Sequence, residues 1–172
     1  LRCLLDQLRA CRQHVARFDQ EIKTAFAAHP DAALFRDLPG AGPAMAPRLC
    51  VAFGTIRTLY PDPASFQKHA GVAPVREKSG ASCWTHWRWQ APVFLRQSLV
   101  EWAGLTVMYS AWAKAYYQRM KAKGKGRHVI LRALAFKWIR VLWKCWQTRT
   151  PYNEATYLHQ LAHRKSPYAL PA

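Results

Sequence analysis

The sequence predicts a mainly α-helical protein with a long N-terminal helix and one small β-hairpin or loop. Apolar residues recur at spacings of three and four over the first 25 residues, which is the periodicity of a helix. Proline and glycine then divide the chain into segments of helical length that carry helix-type starts and ends. Two short stretches, 72–75 and 81–85, favour strands and flank a Ser-Gly pair.

The first helix carries a strict heptad seam. Its members are Leu1, Leu4, Leu8, Cys11, Val15, Phe18, Ile22 and Ala25. Such a seam permits a coiled coil between two chains, and it equally suits one helix that packs its stripe on its own domain. Pro30 ends the helix, because the residue before a proline is pushed out of the helical region. Residues 1–29 are therefore predicted to be a coiled-coil or dimerisation helix.

A turn rich in proline and glycine, Leu38-Pro39-Gly40-Ala41-Gly42-Pro43, precedes an apolar stretch at 44–53. This pattern is typical of a helix-hairpin-helix over about residues 34–53. Gly40 and Gly42 let backbone N–H groups approach a phosphate, and the next helix offers its positive end to the anion. An ordinary helical hairpin is the alternative, and Pro47 inside the second helix lacks an N–H.

The rest of the chain forms the remainder of one predicted helical domain over residues 30–172. Asp62 starts a short helix that Gly71 ends, and a Ser-Gly loop follows at about 72–90. A basic helical part occupies about 92–172. Within it, Pro92 belongs to the first turn of a long helix and Ser110 caps the next one.

The charge balance points to a polyanionic partner. The 172 residues hold 26 Lys and Arg against 9 Asp and Glu, a net charge of +17. Such an excess is self-repulsive unless nucleic acid or another polyanion offsets it. An apolar fraction of 51% and eight tryptophans argue against a disordered basic tail. We therefore expect a folded domain that binds nucleic acid.

One long segment, from Trp102 to Asn153, has no acidic residue at all. In its last helix, one stripe is apolar and another is basic, so one face packs while the other meets phosphate. The apolar stripe is Leu131, Leu134, Trp138, Leu142 and Cys145. The cations predicted to contact nucleic acid are Lys121, Lys123, Lys125, Arg127, Arg132, Lys137, Arg140 and Lys144.

Several classes of site are disfavoured. The five cysteines are widely spaced and include no C-x-x-C pair, which argues against a disulfide framework and a zinc ribbon. Cys83 and His86 have the spacing of half a metal site, but no second half follows. The nine acids are scattered, so no metal site is expected inside this chain. No apolar run reaches the roughly 18 residues that span a bilayer, so no membrane partner is expected.

The Ser-Gly pair is the chemical centre of the sequence. The hydroxyl of Ser79 is a candidate nucleophile toward a phosphodiester, with Ser82 as a nearby rival. His86 is placed either as a general base or as a packing residue among the tryptophans. The cations that stabilise charge on the phosphate are predicted to be Arg76, Lys78, Arg88 and Arg96.

Eight short motifs carry a resemblance to a known family. They are Leu38-Pro39-Gly40-Ala41-Gly42-Pro43, Ala70-Gly71-Val72-Ala73-Pro74, Lys78-Ser79-Gly80, Thr85-His86-Trp87-Arg88-Trp89, Phe94-Leu95-Arg96-Gln97-Ser98, Glu101-Trp102-Ala103, Trp112-Ala113-Lys114-Ala115-Tyr116-Tyr117 and Ala133-Leu134-Ala135-Phe136-Lys137-Trp138-Ile139-Arg140. Together they resemble the C-terminal transposase domain of insertion-sequence family one-ten, in its eleven-eleven branch. The resemblance covers about residues 37–157.

The resemblance implies a bacterial transposase that mobilises an insertion sequence. It implies a helical domain that follows a coiled coil and an N-terminal RuvC-like domain, with Mg²⁺ held by the DEDD acids of that RuvC-like domain. Ser79 is implied to form a covalent phosphoserine link to DNA. A structured bridge RNA is implied to pair with donor and target DNA, in the cytoplasm at the nucleoid. Because the RuvC-like part is not in this sequence, the chain is expected to be a fragment, inactive by itself and without a cofactor of its own.

Two other functions stay open from the residues. The chain is alternatively a helix-hairpin-helix module that binds DNA or RNA without chemistry, in which Ser79 is only a turn residue and Trp84, Trp87 and Trp89 stack or pack. It is otherwise a structural dimerisation fragment, for which nucleic-acid binding would be weak and nearly independent of salt.

Overall fold

The computed structural model describes residues 1–168 and is mainly helical, with 68% of the described residues in helices. The described elements are α1 (Arg2–Ala27), α2 (Ala32–Arg36), α3 (Gly42–Phe53), a 3₁₀ turn (Arg57–Leu59), α4 (Pro63–His69), β1 (Val75–Ser79), β2 (Ser82–His86), α5 (Val93–Tyr109), α6 (Ala111–Ala122), α7 (Arg127–Thr148) and α8 (Glu154–His163). The predicted fold class is confirmed. Residues 169–172, the end of the predicted basic part, lie outside the described residues.

Helix α1 extends away from the rest of the molecule. None of its residues is buried, and only Phe26, in its last turn, packs on the core. The helix ends at Ala27, as predicted from Pro30. Its heptad seam is therefore not covered by the described part of its own domain.

The centre of the fold is a column of tryptophans between α5, α6 and α7. The ring of Trp138 on α7 lies 4.8 Å from that of Trp102 on α5 and 4.6 Å from that of Trp112 on α6. All three side chains are fully buried. Each indole N–H donates a hydrogen bond, to Thr106 Oγ1, to Pro39 O and to the Tyr152 hydroxyl respectively. Large apolar rings are thus buried without leaving a polar atom unpaired.

The C-terminal half of α7 holds the loop between α3 and α4. Trp143 and Trp146 donate their indole N–H groups to the carbonyls of Tyr60 and Gly54. The amide of Gln147 donates to Tyr60 as well. This loop has no regular structure apart from the 3₁₀ turn, so its backbone carbonyls find their partners on α7.

A buried ion pair links this loop to the start of α2. Arg57 Nη2 donates to Asp31 Oδ1 at 2.6 Å, and Arg57 Nε donates to the Trp146 carbonyl at 2.8 Å. Asp31 is only 4% exposed. A carboxylate so deeply buried needs its cation, because an unpaired charge there is strongly destabilising.

The start of α6 is capped by a residue from α8. Ser110 occupies the predicted N-cap position, but its own side chain does not cap the helix. Instead Glu154 Oε1 accepts the Ala111 N–H at 3.0 Å, and both the Ser110 and Tyr152 hydroxyls donate to the same carboxylate. A carboxylate is favourable at a helix N-terminus. The first acid after the acid-free segment is therefore used to join α6 and α8.

A two-residue turn joins β1 to β2 in an antiparallel hairpin. Ser79 pairs with Ser82, and Gly80 and Ala81 form the turn. Gly80 has φ +58° whereas Ala81 has no positive φ, which is the pattern of a type II′ turn. The predicted strands at 72–75 and 81–85 are found at 75–79 and 82–86, so they begin three and one residues later. The first strand continues to Ser79 because the turn has only two residues, the shortest that a hairpin allows.

The hairpin is attached to the helical core at Gly71. This glycine is buried with φ +68°, and a Cβ added to it would overlap the Cβ of Ala91, which precedes α5. The chain entering β1 and the chain leaving β2 therefore approach each other as closely as a glycine permits.

We predict that Gly71→Ala destabilises the protein by about 2 to 4 kcal/mol, since it adds left-handed strain and an overlap with Ala91. Gly124→Ala is the matched control, because Gly124 has φ +72° but nothing within 4 Å of its added Cβ. That control should lose only about 1 kcal/mol. Urea unfolding measures both, and equal losses would contradict the close contact at Gly71.

Candidate nucleic-acid interface

Ser79 lies at the exposed tip of the β1–β2 hairpin. Side chains alternate between the two faces of a strand, so Ser79 shares one face with Glu77 and with the paired residues Ser82, Trp84 and His86. All of these side chains are exposed except that of His86, which is half-buried. The tip therefore presents both serine hydroxyls to an approaching strand of nucleic acid.

The four cations predicted to serve Ser79 are divided by the hairpin. Arg76 and Lys78 lie on the opposite face of β1, because they alternate with Glu77 and Ser79. Arg88 and Arg96 lie at the other end of the hairpin, where Arg96 Nη1 donates to the Arg88 carbonyl at 3.3 Å. A five-residue strand spans about 13 Å between the two ends. The described residues thus do not gather these cations around the Ser79 hydroxyl.

His86 is held by acceptors at both ring nitrogens. Nε2 lies 2.8 Å from Glu77 Oε1, and Nδ1 lies 2.8 Å from the Trp87 carbonyl oxygen. Because both partners accept, the ring can make both hydrogen bonds only as the imidazolium. The hydrogen bond to Glu77 is the main reason that the pKa of His86 is raised above its ordinary value near 6.5. In this arrangement His86 has no free lone pair with which to act as a base.

The half metal site of Cys83 and His86 is split by the hairpin. The two residues are three apart on β2, so their side chains lie on opposite faces. Within residues 1–168, no three His, Cys, Asp or Glu side chains lie close enough together to hold a metal ion. Over the same residues, no helix is both long and apolar enough to cross a membrane.

The acid-free segment forms a basic surface over α6, α7 and their connection. Nine of its eleven Lys and Arg side chains are exposed, and none of the eleven makes an ion pair within residues 1–168. Lys123 and Lys125 lie in the connection, Lys121 in the last turn of α6 and Arg127 at the start of α7, and all four are exposed. Arg140 and Lys144 continue the surface along α7.

Two predicted contact residues of α7 are half-buried against aromatic rings. Lys137 Nζ lies 5.2 Å from the ring centroids of both Tyr116 and Tyr168. Burial lowers the pKa of this ammonium. Arg132 lies with its guanidinium carbon 4.7 Å from the centre of the Trp87 ring. Among the predicted contact residues of α7, Arg140 is thus exposed, whereas Lys137 and Arg132 are partly packed.

The two glycines of the Pro-Gly turn have different surroundings. Gly40, with φ +71°, packs on α5, where an added Cβ would lie 2.9 Å from Tyr109 Cδ2. Gly42 is exposed, has φ +56° and has open space where a Cβ would be. No side chain caps α3, whose first residue is Gly42. The Gly42 side of the turn is therefore the part that a phosphate can approach.

A cavity of about 400 Å³ opens between the end of the hairpin and the first turns of α5 and α7. Its lining consists of Trp87, Val93, Arg96, Gln97, Val100, His128 and Arg132. Sequence reasoning named Arg96 as a cation that serves Ser79 and Arg132 as a nucleic-acid contact, and it missed Gln97 and His128. Arg96 and Arg132 are 36 residues apart, so only the packing of α5 on α7 brings them together.

Three exposed tryptophans lie around β2 and the segment after it. Trp84, Trp87 and Trp89 are 47%, 39% and 70% exposed. Trp87 contacts Trp89 edge to face, with 5.4 Å between ring centroids. Exposed aromatic faces beside cations are the surface on which unpaired bases stack.

These features define a strongly basic helical domain with a candidate nucleic-acid interface and an exposed serine at the tip of its hairpin. The sequence model of the transposase IS116/IS110/IS902 family matches residues 32–118, from the start of α2 into α6. This match covers half of the chain and includes the whole hairpin. The chain belongs to the transposase IS116/IS110/IS902 family.

Two Streptomyces proteins are similar over nearly the whole chain. A Streptomyces coelicolor protein, named as a mini-circle transposase for IS117, is 27% identical over 154 residues, which is 90% of this chain and 37% of the relative. An uncharacterized 44.8 kDa protein of insertion element IS116 in Streptomyces clavuligerus is 26% identical over 160 residues, 92% of this chain and 40% of that relative. The chain spans about two fifths of the length of these curated relatives.

We predict that the His86 ring titrates above 6.5 and that Glu77→Gln lowers its midpoint, because the carboxylate stabilises the imidazolium. A raised folded-state pKa means that the pair stabilises the hairpin fully below pH 6.5 and ceases to do so as the pH rises through the folded pKa. The His86 ring protons, followed by NMR against pH, measure the midpoint. Glu21→Gln on α1 is the control with the same charge change. A midpoint that Glu77→Gln leaves in place would contradict the imidazolium assignment.

Proposed function

We propose that this chain is the part of an insertion-sequence transposase that carries the nucleophile, and that Ser79 forms a covalent phosphoserine bond with DNA. The observation that carries this proposal is the position of Ser79, exposed at the tip of a hairpin inside the family-matched region. A nucleophile that must reach a phosphodiester in a large duplex gains from standing clear of its own domain.

The proposed step is a substitution at phosphorus. Ser79 Oγ attacks, the Oγ–P bond forms, and the P–O bond to the leaving deoxyribose oxygen breaks. The serine proton passes to a base, and the leaving oxygen ends as a hydroxyl. Rejoining reverses the step with a different deoxyribose hydroxyl, so the phosphodiester bond energy is retained in the protein–DNA link.

The groups that assist Ser79 are proposed to come from outside this chain. The Ser79 hydroxyl makes no hydrogen bond to a side chain within residues 1–168, and His86 is engaged as a donor. No group of metal-ligating side chains is present over the same residues. Mg²⁺ is therefore proposed to bind the acids of a RuvC-like domain elsewhere in the whole protein, and no step is assigned to it here.

Donor and target DNA, together with a structured bridge RNA, are the proposed partners. The basic surface of α6 and α7 supports this assignment, because nine exposed cations with no acidic partner in the described part of the chain suit a phosphate backbone. The Gly42 side of the α2–α3 turn is the proposed helix-hairpin-helix contact with phosphate. The proposed setting is the bacterial cytoplasm, at the nucleoid. Bridge RNA and the eleven-eleven branch rest on the sequence resemblance alone.

The α1 seam is proposed to form a coiled coil with a second copy of the chain. Leu8 and Val15 on the seam are each 58% exposed, and α1 buries no residue in its own domain. Exposed leucine, valine and phenylalanine at heptad spacing find burial against an identical seam. A second copy would bring a second hairpin into the same assembly, as exchange between two DNA ends requires.

A binding module without chemistry is the second candidate function. It is favoured by the separation of Ser79 from every cation predicted to serve it and by the three exposed tryptophans. In that case the hairpin contacts unpaired bases and Ser79 is only the last residue before the turn.

Ser79→Ala in the whole protein should abolish the covalent protein–DNA adduct while leaving DNA affinity within about twofold, because the substitution removes only the attacking oxygen. The measurement is a denaturing gel with end-labelled element DNA and the RNA, alongside a native gel for binding. Ser82→Ala is the matched control, since Ser82 is its cross-strand partner on the same face of the hairpin.

An adduct that survives Ser79→Ala and disappears in Ser82→Ala would transfer the nucleophile to Ser82. Strand cleavage without any adduct would support hydrolysis by the metal domain and leave this chain as a binding module.

We also predict that Leu8→Glu reduces self-association of the chain, because it places a charge in the seam. Size-exclusion chromatography with light scattering should give twice the chain mass of 19.7 kDa for wild type and a lower mass for the variant. Gln13→Glu, on the outer side of the heptad, is the control and should remain dimeric. A monomeric wild type would contradict the proposed coiled coil.

A further inference from the structure

The cavity beside Trp87 brings two arginines onto one aromatic ring. The guanidinium carbons of Arg96 and Arg132 lie 5.0 Å and 4.7 Å from the centre of the Trp87 ring. The two cations are therefore within about 10 Å of each other, at the wall of a shared cavity. Two like charges at this separation repel unless an anion lies between them.

The cavity wall offers the cations no carboxylate. None of the seven lining residues is acidic. The acid next to the cavity is Glu101, one turn along α5 from Gln97, and it is already paired with Arg48 Nη1 at 2.8 Å and with the Gln97 amide at 2.7 Å. Neither Arg96 nor Arg132 makes an ion pair within residues 1–168. The charge at this site is left for a ligand to balance.

The segment after β2 holds an unpaired donor. Arg88 follows Trp87 in the chain, and its carbonyl accepts from Arg96. Its Nε is buried and has no hydrogen-bond partner among the described residues. A buried guanidinium nitrogen without an acceptor is rare in folded proteins, but Arg88 does not line the cavity and is not counted as part of the site.

The rest of the lining suits a flat, partly apolar group. Val93, Val100 and the Trp87 ring form the apolar wall, and Gln97 and His128 add hydrogen-bonding groups. A volume of about 400 Å³ lies in the range of small-ligand sites, which are apolar with a few convergent polar groups. One nucleotide combines these requirements, since it carries a phosphate and a planar base.

We propose that this cavity binds a single unpaired nucleotide of a nucleic-acid strand. Its phosphate lies between the guanidinium groups of Arg96 and Arg132, which match phosphate oxygens as paired donors. Its base lies against Trp87 and the two valines, with Gln97 and His128 at its polar edge. The site is at the opposite end of the hairpin from Ser79, so it holds a strand without touching the reacting phosphorus.

This proposal deepens the proposed function by naming where the strand is held, but it does not depend on the serine chemistry. It needs only that the chain binds nucleic acid. The test therefore uses the 172-residue chain and a ligand that is too short to occupy the basic surface of α6 and α7.

The probe is the 5′-phosphorylated dinucleotide of thymidine, titrated into chain labelled with 5-fluorotryptophan and followed by ¹⁹F NMR. Trp87→Phe assigns the Trp87 resonance among the eight tryptophans. We expect a saturable shift of that resonance. Arg132→Gln and, separately, Arg96→Gln should each weaken binding about tenfold or more, because each removes a charged partner of the phosphate. Unchanged resonances of the other tryptophans show that the variants are folded.

Arg36→Gln is the matched control, because Arg36 is exposed, does not line the cavity and carries the same charge. It should leave the dinucleotide affinity within twofold. Inorganic phosphate alone should bind at least tenfold more weakly than the dinucleotide, since it lacks the base.

Four results would overturn the nucleotide site. Inorganic phosphate that binds as tightly as the dinucleotide would reduce the site to an anion site. If neither Arg96→Gln nor Arg132→Gln weakens dinucleotide binding, the arginines do not form the site. A silent Trp87 resonance, in a chain that still retards a 30-nucleotide DNA on a native gel, would overturn the site but leave the proposed function intact. No binding to either DNA would count against both.

Discussion

The packing of α5 on α7 around Trp102 and Trp138 is the contact on which the rest of the structure depends. One end of α5 receives the hairpin, and its middle receives the Pro-Gly turn through the hydrogen bond from Trp102 to Pro39. The far end of α7 holds the irregular loop before α4 through Trp146. Since every indole involved is both buried and hydrogen-bonded, this arrangement fixes orientation as well as position. One pair of helices therefore holds the hairpin, the Pro-Gly turn and the loop before α4 in place.

That scaffold separates two kinds of surface. The interior aromatic column leaves α6 and α7 free to expose a basic outer face, and the acid that follows the acid-free segment, Glu154, is used inside the fold as a cap. At the hairpin, the serine is separated from the positive charge: Ser79 is at the tip, and the arginines that contact Trp87 are at the other end. Positive charge thus lies at several places where we propose that nucleic acid is held, whereas the proposed reacting hydroxyl stands apart from it.

Local signals were sufficient for much of the fold. The heptad seam, Pro30, the Asp62 cap and the Gly80 turn each act within a few residues, and all predicted their elements correctly to within a few positions. Contacts between distant residues were beyond such reasoning. Nothing near Arg96 in the sequence indicates that Arg132 shares its ring, and nothing near His86 indicates that Glu77 occupies its Nε2, because both pairs are created by packing and strand register. The site residues were thus named individually, but their grouping required the fold.

The most direct test of the account is to map the residue that becomes linked to DNA. The whole protein would be incubated with its RNA and element DNA, the adduct digested with nuclease and trypsin, and the modified peptide fragmented in a mass spectrometer. Trypsin cuts after Lys78 and Arg88, so Ser79 and Ser82 fall in one peptide whose fragment ions distinguish them. The account predicts a nucleotide joined through its phosphate to Ser79 Oγ. A nucleotide joined through its phosphate to any other residue, or completed strand exchange with no modified peptide, would contradict it.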